Sequence, residues 1–286
     1  MITREEKLVS WLFKTEAVRV CPENKPFWYT SGTIGPYYIN THFLYGSEKK
    51  AVELLRIIDF EKDNIFEFPY VLSKLLRYNY ENDEIYKGLI NEMIAFISEK
   101  IGPEEIDYIS GGERRDWFFS PIIAELLNKP HIFLYKNNKA YLSDMGEVKE
   151  VTDIKDKKVL HIADLITEAS SYERNWIPAI EALGGNILWS VVVVDRKQGG
   201  GELLKSKNVE SYAMVSVDKS LFEQALTSGH INNEQYSMIL KFIDNPKESM
   251  KNFLKEHPEF LENALNSDAK TAERAKLCID KNLYDL

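Results

Sequence analysis

The sequence predicts an α/β fold built on a mostly parallel sheet flanked by helices, and three observations carry that expectation. From Ile106 to Val215, short apolar runs alternate with segments of helical periodicity. The run Ile187-Leu188-Trp189-Ser190-Val191-Val192-Val193-Val194 is apolar almost throughout, as expected of a strand covered on both faces. Between them, Lys158 to Gly185 reads as strand, loop and helix: Val159, Leu160 and Ile162 make the run, Asp164 ends it, Thr167 to Ser171 form a polar turn, and Trp176, Ile177, Ile180 and Leu183 recur at helical spacing. Ligands of an open parallel sheet gather at the carboxyl ends of its strands, where a following helix points free N–H groups outward. The turn after Asp164 therefore suits a phosphate.

With 286 residues and 44% hydrophobic content the chain can bury a large core. A formal net charge of −9 argues against nucleic acid as a partner, while leaving room for a local basic pocket that takes an anionic small molecule. No run approaches the apolar length that spans a bilayer, so no membrane partner is expected. The N-terminal MITREEKLVSWLF is charged and amphipathic, without the cleavage site of a secretory signal, and points to a cytoplasmic protein. Cys21 and Cys278 lie near opposite ends with no ligand-like spacing, which suggests neither a disulfide framework nor a zinc site.

Taken in order, Thr3 and Glu6 form a capping box ahead of Leu8, Val9, Leu12 and Phe13, predicting an amphipathic first helix. Phe27 to Asn40 reads as two aromatic strands joined by a turn around Ser31 to Pro36. Apolar spacing from Ser47 to Lys100 is helical, enough for three helices that form a hood, with Pro103 marking its end. Ile106 to Ser110 is a short strand, Gly111 to Asp116 a loop, and Trp117 to Leu127 a helix. Paired glycines let a backbone approach a ligand, and Arg114 and Arg115 offer planar forks of donors to oxyanions; alternatively they pair with Glu113 and Asp116. His131 to Tyr135 is a strand, followed by a turn carrying Lys136 and Lys139 and another strand near Ala140. Gly184-Gly185 stops the central helix. The last strand is Glu210 to Val215, and from Asp218 the chain is helical, with Asn232 and Gln235 capping one helix, Asn245-Pro246 opening another and Ser267 preceding a third. The expected organisation is one domain over 1–217, including a helical insertion at about 47–102, and a helical extension over 218–286 packed on the same domain, as a structural layer or dimerisation surface.

Several of these stretches, in this order, resemble type I phosphoribosyltransferases, and orotate phosphoribosyltransferase in particular. Phe27-Trp28-Tyr29-Thr30-Ser31-Gly32-Thr33-Ile34-Gly35-Pro36-Tyr37-Tyr38 is similar to the segment that follows that family's first helix, with Thr30 in place of its substrate-contacting lysine. Lys136 and Lys139 match two family lysines, with Tyr135 replacing an arginine. Asp195-Arg196 after the long apolar strand matches the pair whose arginine binds the carboxylate of orotate. The phosphoribosyl pyrophosphate motif is altered: Ala163 stands for the first acid, Asp164 keeps the second, and Glu168-Ala169-Ser170 replaces Thr-Gly-Gly.

The resemblance implies transfer of a phosphoribosyl group from phosphoribosyl pyrophosphate to a pyrimidine base such as orotate, with release of pyrophosphate. It implies Asp164, Lys136 and Lys139 as catalytic residues, and Asp164 as the protein ligand of Mg2+. Substrate binding would fall to Arg196, Arg114, Arg115, Gly111, Gly112, Thr167, Ser170, Ser171 and Ser31. A homodimer is the implied assembly. The altered positions support a second reading, a catalytically weak relative that binds a nucleotide or base as a sensor or scaffold, because Ala163 removes a carboxylate from under the ribose and Glu168 brings negative charge to the phosphate loop.

Overall fold

Helix α1 (Arg4–Lys14) starts at the predicted capping box: the Glu6 N–H donates to Thr3 Oγ1 and the Thr3 N–H to the Glu6 carboxylate, while Leu8, Val9 and Leu12 turn inward. The computed structural model describes residues 2–144 and 146–285. Four short strands follow: β1 (Val18–Val20), β2 (Phe27–Trp28), β3 (Ile34–Gly35) and β4 (Tyr37–Ile39). β2 pairs with β3 and β1 with β4, all antiparallel; the hairpin therefore closes earlier than expected, between Trp28 and Ile34, and the second aromatic strand, Tyr37–Ile39, pairs with β1 and not with Phe27–Trp28. Then α2 (Glu48–Glu61), α3 (Phe68–Asn82) and α4 (Glu84–Lys100) fill the stretch predicted to hold three helices. Ser47 caps the first of these and Asp83 the third, each accepting backbone N–H groups of the opening turn.

The central sheet is built from β5 (Tyr108–Gly112), β6 (His131–Leu134), β7 (Ala140–Asp144), β8 (Glu147–Glu150), β9 (Lys158–Ile166), β10 (Asn186–Asp195) and β11 (Glu210–Ser216). Its order is β11-β10-β9-β5-β6-β7-β8, parallel from β11 to β6 and antiparallel for the last two pairs. The strands predicted near Ile106, His131, Ala140, Lys158, Ile187 and Glu210 all lie in it. Helices α5 (Ser120–Leu126), α6 (Ile177–Ala182) and α7 (Gly200–Ser206) make the connections. Of the boundaries that differ from the sequence reading, two bear on the site. β9 continues past Asp164, because Leu165 and Ile166 still pair with Val194 and Asp195 of β10, and Gly111 and Gly112 belong to β5, not to the loop after it.

After β11 come α8 (Lys219–Thr227), α9 (Asn233–Asp244), α10 (Pro246–Glu256), α11 (Pro258–Leu265) and α12 (Ala269–Asp280). The chain divides into two compact units, one of Met1–Ala17 with Thr41–Val217, the other of Val18–Asn40 with Asp218–Leu286. The aromatic hairpin thus clusters with the helices beyond Asp218, whereas the sequence reading placed it in a domain ending at 217. The reason is visible inside the second unit: Trp28 stacks on Phe260 at 5.6 Å, the Ile34 N–H donates to Tyr284 Oη at 2.8 Å, and Met250, Leu254 and Cys278 complete the core. In the first unit, α6 and the segment before it cover one sheet face through Tyr172, Trp176, Ile177 and Ile180, packed on Val159, Ala163 and Val192. Among the described residues no helix is long and apolar enough to cross a membrane.

Candidate functional site

At the carboxyl ends of β5 and β9 the first unit holds a cavity of about 400 Å³, lined by residues 113–116, Lys136, 163–172 and Trp176. The topology dictates its place. Parallel neighbours β5 and β9 end side by side, and the chain leaving each must turn across the same end of the sheet.

Asp164 is 9% exposed and Asp116 is 8%. Asp116 sits at the start of a 3-10 turn (Asp116–Phe118) and reaches back over both strands: Oδ2 accepts the Gly112 N–H at 2.9 Å and Oδ1 the Asp164 N–H at 3.0 Å. Its Oδ2 is also 3.4 Å from His161 Nε2, and the other ring nitrogen, Nδ1, meets Ser110 Oγ at 2.9 Å. Burial, then the charge of Asp116, raises the Asp164 carboxyl to about 7. Tyr172, which lines the cavity, rests edge-on against His161 and bonds Ser190 Oγ at 2.6 Å.

Basic groups enter from two turns. Arg114 and Arg115 follow the Glu113–Arg114 peptide, which is cis, and Lys136 comes from the β6–β7 turn, whose carbonyl accepts from Asn175 Nδ2 at 3.1 Å. Glu113 accepts the Lys136 N–H at 3.1 Å and pairs with Lys62. Burial alone would raise the Glu113 carboxyl, but Lys62 and the Lys136 N–H together hold it below its ordinary value. Arg114 pairs with Asp59 of α2, and Arg115 is exposed. The Thr167–Ser171 turn closes the other side. Its Thr167 carbonyl accepts the Gly200 N–H at 2.9 Å, and Ala169 has φ 54, a left-handed conformation that favours glycine.

Of the predicted site residues, the cavity gathers Arg114, Arg115, Lys136, Asp164, Thr167, Ser170 and Ser171. It does not gather the rest. Lys139 ends the β6–β7 turn, its N–H on Asn137 Oδ1 at 3.1 Å. Arg196 is half-buried just after β10, its N–H on the Ile166 carbonyl at 3.0 Å, and Asp195 pairs with Lys197. Ser31 belongs to the second unit, where its Oγ meets Thr33 Oγ1 at 2.7 Å.

Gly111 and Gly112 serve packing instead of opening the backbone to a ligand. A Cβ on Gly111 would stand 2.1 Å from Ser120 Oγ, and one on Gly112 would stand 2.3 Å from the Trp176 indole. Gly112→Ala is therefore expected to cost about 1–3 kcal/mol by displacing Trp176; urea denaturation followed by tryptophan fluorescence reads it.

Sequence reasoning missed Asp116 as a site organiser, along with His161, Tyr172 and Trp176. The one available signal was a histidine inside the apolar run of β9, which asks for a buried polar partner. Among the described residues no group of three His, Cys, Asp or Glu side chains is arranged to hold a metal. Two lining carboxylates are already engaged, Asp116 by backbone N–H groups and Glu113 by Lys62 and the Lys136 N–H, which leaves Asp164 and the exposed Glu168 to meet a cation. That fits Mg2+, which binds through one or two carboxylates while phosphates and water complete its octahedron.

No family model matches the chain. It is 26% identical over 175 residues to an orotate phosphoribosyltransferase of Sulfurisphaera tokodaii, covering 61% of this chain and 84% of the relative. Among solved structures it is similar to the orotate phosphoribosyltransferase of Francisella tularensis, with TM-score 0.52 and 14% identity, covering 82% of this chain and 96% of the other. It is also similar to UMP synthase of Leishmania donovani, with TM-score 0.55 and 18% identity, covering 84% of this chain but only 42% of that one. The chain thus resembles orotate phosphoribosyltransferases in sequence and has a phosphoribosyltransferase-like fold.

Proposed function

We propose that the chain is an orotate phosphoribosyltransferase-like protein that transfers a phosphoribosyl group from phosphoribosyl pyrophosphate to a pyrimidine base such as orotate. The observation that carries this reading is the single cavity in which Asp164, the cations Arg114, Arg115 and Lys136, and the Thr167–Ser171 turn face one another. A sugar carrying an anionic group at each end has the charge pattern that matches it.

In this reading the Thr167–Ser171 turn holds the 5-phosphate, through backbone N–H groups and the Ser170 and Ser171 hydroxyls. The ribose lies over Asp164, and Arg114, Arg115 and Lys136 take the pyrophosphate. The bond from the anomeric carbon to the pyrophosphate oxygen breaks, a bond from that carbon to a base nitrogen forms, and the nitrogen's proton passes to solvent. Ionised Asp164 stabilises the positive charge that builds on the ribose, while the two arginines stabilise the negative charge of the leaving group. Mg2+, held on Asp164, would neutralise pyrophosphate charge when bound. The resemblance further supports Arg196 as the base-carboxylate ligand, Lys139 as a second pyrophosphate lysine, and a cytoplasmic homodimer.

A second reading, a weakly active or inactive binder of a nucleotide or base, is favoured by two features. Exposed Glu168 lies in the phosphate-binding turn, and Ala163 is 2% exposed and packed in the core beneath Tyr172 and Trp176, where an added carboxylate would be buried. The experiment for the shared claim is calorimetric titration with phosphoribosyl pyrophosphate and magnesium. The parent is expected to bind, and Arg115→Ala to bind about tenfold more weakly or worse, the worth of one charge-assisted hydrogen bond. Equal affinity of the two proteins would move the pyrophosphate elsewhere.

A further inference from the structure

We infer that Asp59, in the last turn of α2, is a built-in competitor for the ligand anion, seated on Arg114 and displaced when a phosphate group enters the cavity. The inference rests on the proposed pyrophosphate site and adds a residue that sets its affinity. Two ion pairs of opposite polarity join the end of α2 to the loop after β5: Asp59 with Arg114, and Lys62 with Glu113. Tyr135, just after β6, ties the same end of α2 to a different strand, its Oη donating to the Lys62 carbonyl at 2.9 Å.

Lys62–Glu113 is the more enclosed pair, with side chains 24% and 10% exposed, whereas Arg114 and Asp59 are 35% and 43% exposed. The outer pair is the weaker one, because solvent screens it and each long side chain loses freedom in holding it. A pyrophosphate offers the same guanidinium more than one oxygen and more charge than a single carboxylate, so it prevails. Asp59 thus satisfies Arg114 in the absence of ligand and lowers its affinity for one. The segment it leaves, residues 59–67, carries Phe60 at 85% and Phe66 at 65% exposure, and so has little apolar packing to hold it once the ion pair opens.

The test is calorimetric titration of the whole chain with inorganic pyrophosphate, comparing the parent with Asp59→Asn and with Asp63→Asn, which makes the same charge change at an exposed neighbour. Asp59→Asn should bind about two- to fivefold more tightly than the parent, the effect of removing one exposed ion-pair competitor, and Asp63→Asn should bind like the parent. Hydrogen exchange over residues 59–67 should quicken when pyrophosphate is added to the parent. Binding unchanged in Asp59→Asn, or equally tightened in Asp63→Asn, would overturn the role of Asp59 while leaving the proposed function intact. Absence of pyrophosphate binding in all three proteins would overturn both.

Discussion

Acidification from about pH 6.5 to about pH 4.5 is expected to cost the fold on the order of 3 kcal/mol of stability, and His131→Phe to remove most of that loss. His131 is 4% exposed and His42 is 3%, and burial pushes each imidazole down to about 3. A depressed histidine contributes stability that is complete above its unfolded value, near 6.5, and is lost as pH falls toward 3, because the unfolded chain takes up protons that the fold refuses. Asp164, raised to about 7, works in the opposite sense: its contribution is complete below its unfolded value and is lost as pH rises through 7. Over those two pH units each histidine removes on the order of 3 kcal/mol and Asp164 returns a similar amount, which leaves the net loss. Stability should therefore peak at about pH 7, where proton uptake by the two unfolded histidines balances that by folded Asp164. Urea midpoints across pH 4–8 check it, and a flat profile in the parent would contradict the burial of the two histidines.

Asp164→Asn should move stability and function in opposite directions. At pH 8 the parent holds an ionised carboxylate in a buried place beside Asp116, and removing that charge should stabilise the fold by up to about 4 kcal/mol, the full span of the raised carboxyl. In the proposed function the same change removes the charge that would oppose the ribose and the cation, so any turnover should fall about a hundredfold or more. A residue kept at a cost to the fold marks a functional site. Thermal melts at pH 8 together with the turnover assay decide it: a variant less stable than the parent would mean that Asp164 is structural.

The fold was legible because its periodicities are plain. The continuous apolar run of β10 announces a buried parallel strand, and the Thr3–Glu6 capping box marks the first helix at its true start. The ends of elements were harder. Asp164 looked like a strand terminus because a charged residue usually is one, yet the sheet carries it two residues farther, and Asp116 satisfies its N–H from the next loop. Gly111 and Gly112 looked like a ligand cradle, but a missing Cβ makes room for any close neighbour, and here the neighbours are Ser120 and Trp176. Asp116 itself could not be read from the chain, since its role depends on two strands that meet only in the folded sheet. The same holds for Asp59 and Arg114, which lie 55 residues apart.

The most direct measurement for the central claim is loss of orotate absorbance in the presence of phosphoribosyl pyrophosphate and magnesium, run on the parent, Glu168→Thr and Asp164→Asn. Glu168 is an exposed acid on the turn assigned to the 5-phosphate, so its removal should strengthen phosphate binding without disturbing the core. Slow, phosphoribosyl pyrophosphate-dependent loss of orotate is expected in the parent, a faster rate in Glu168→Thr, and a rate lower by about a hundredfold or more in Asp164→Asn. No loss of orotate in any of the three at saturating phosphoribosyl pyrophosphate, or an unchanged rate in Asp164→Asn, would contradict that claim.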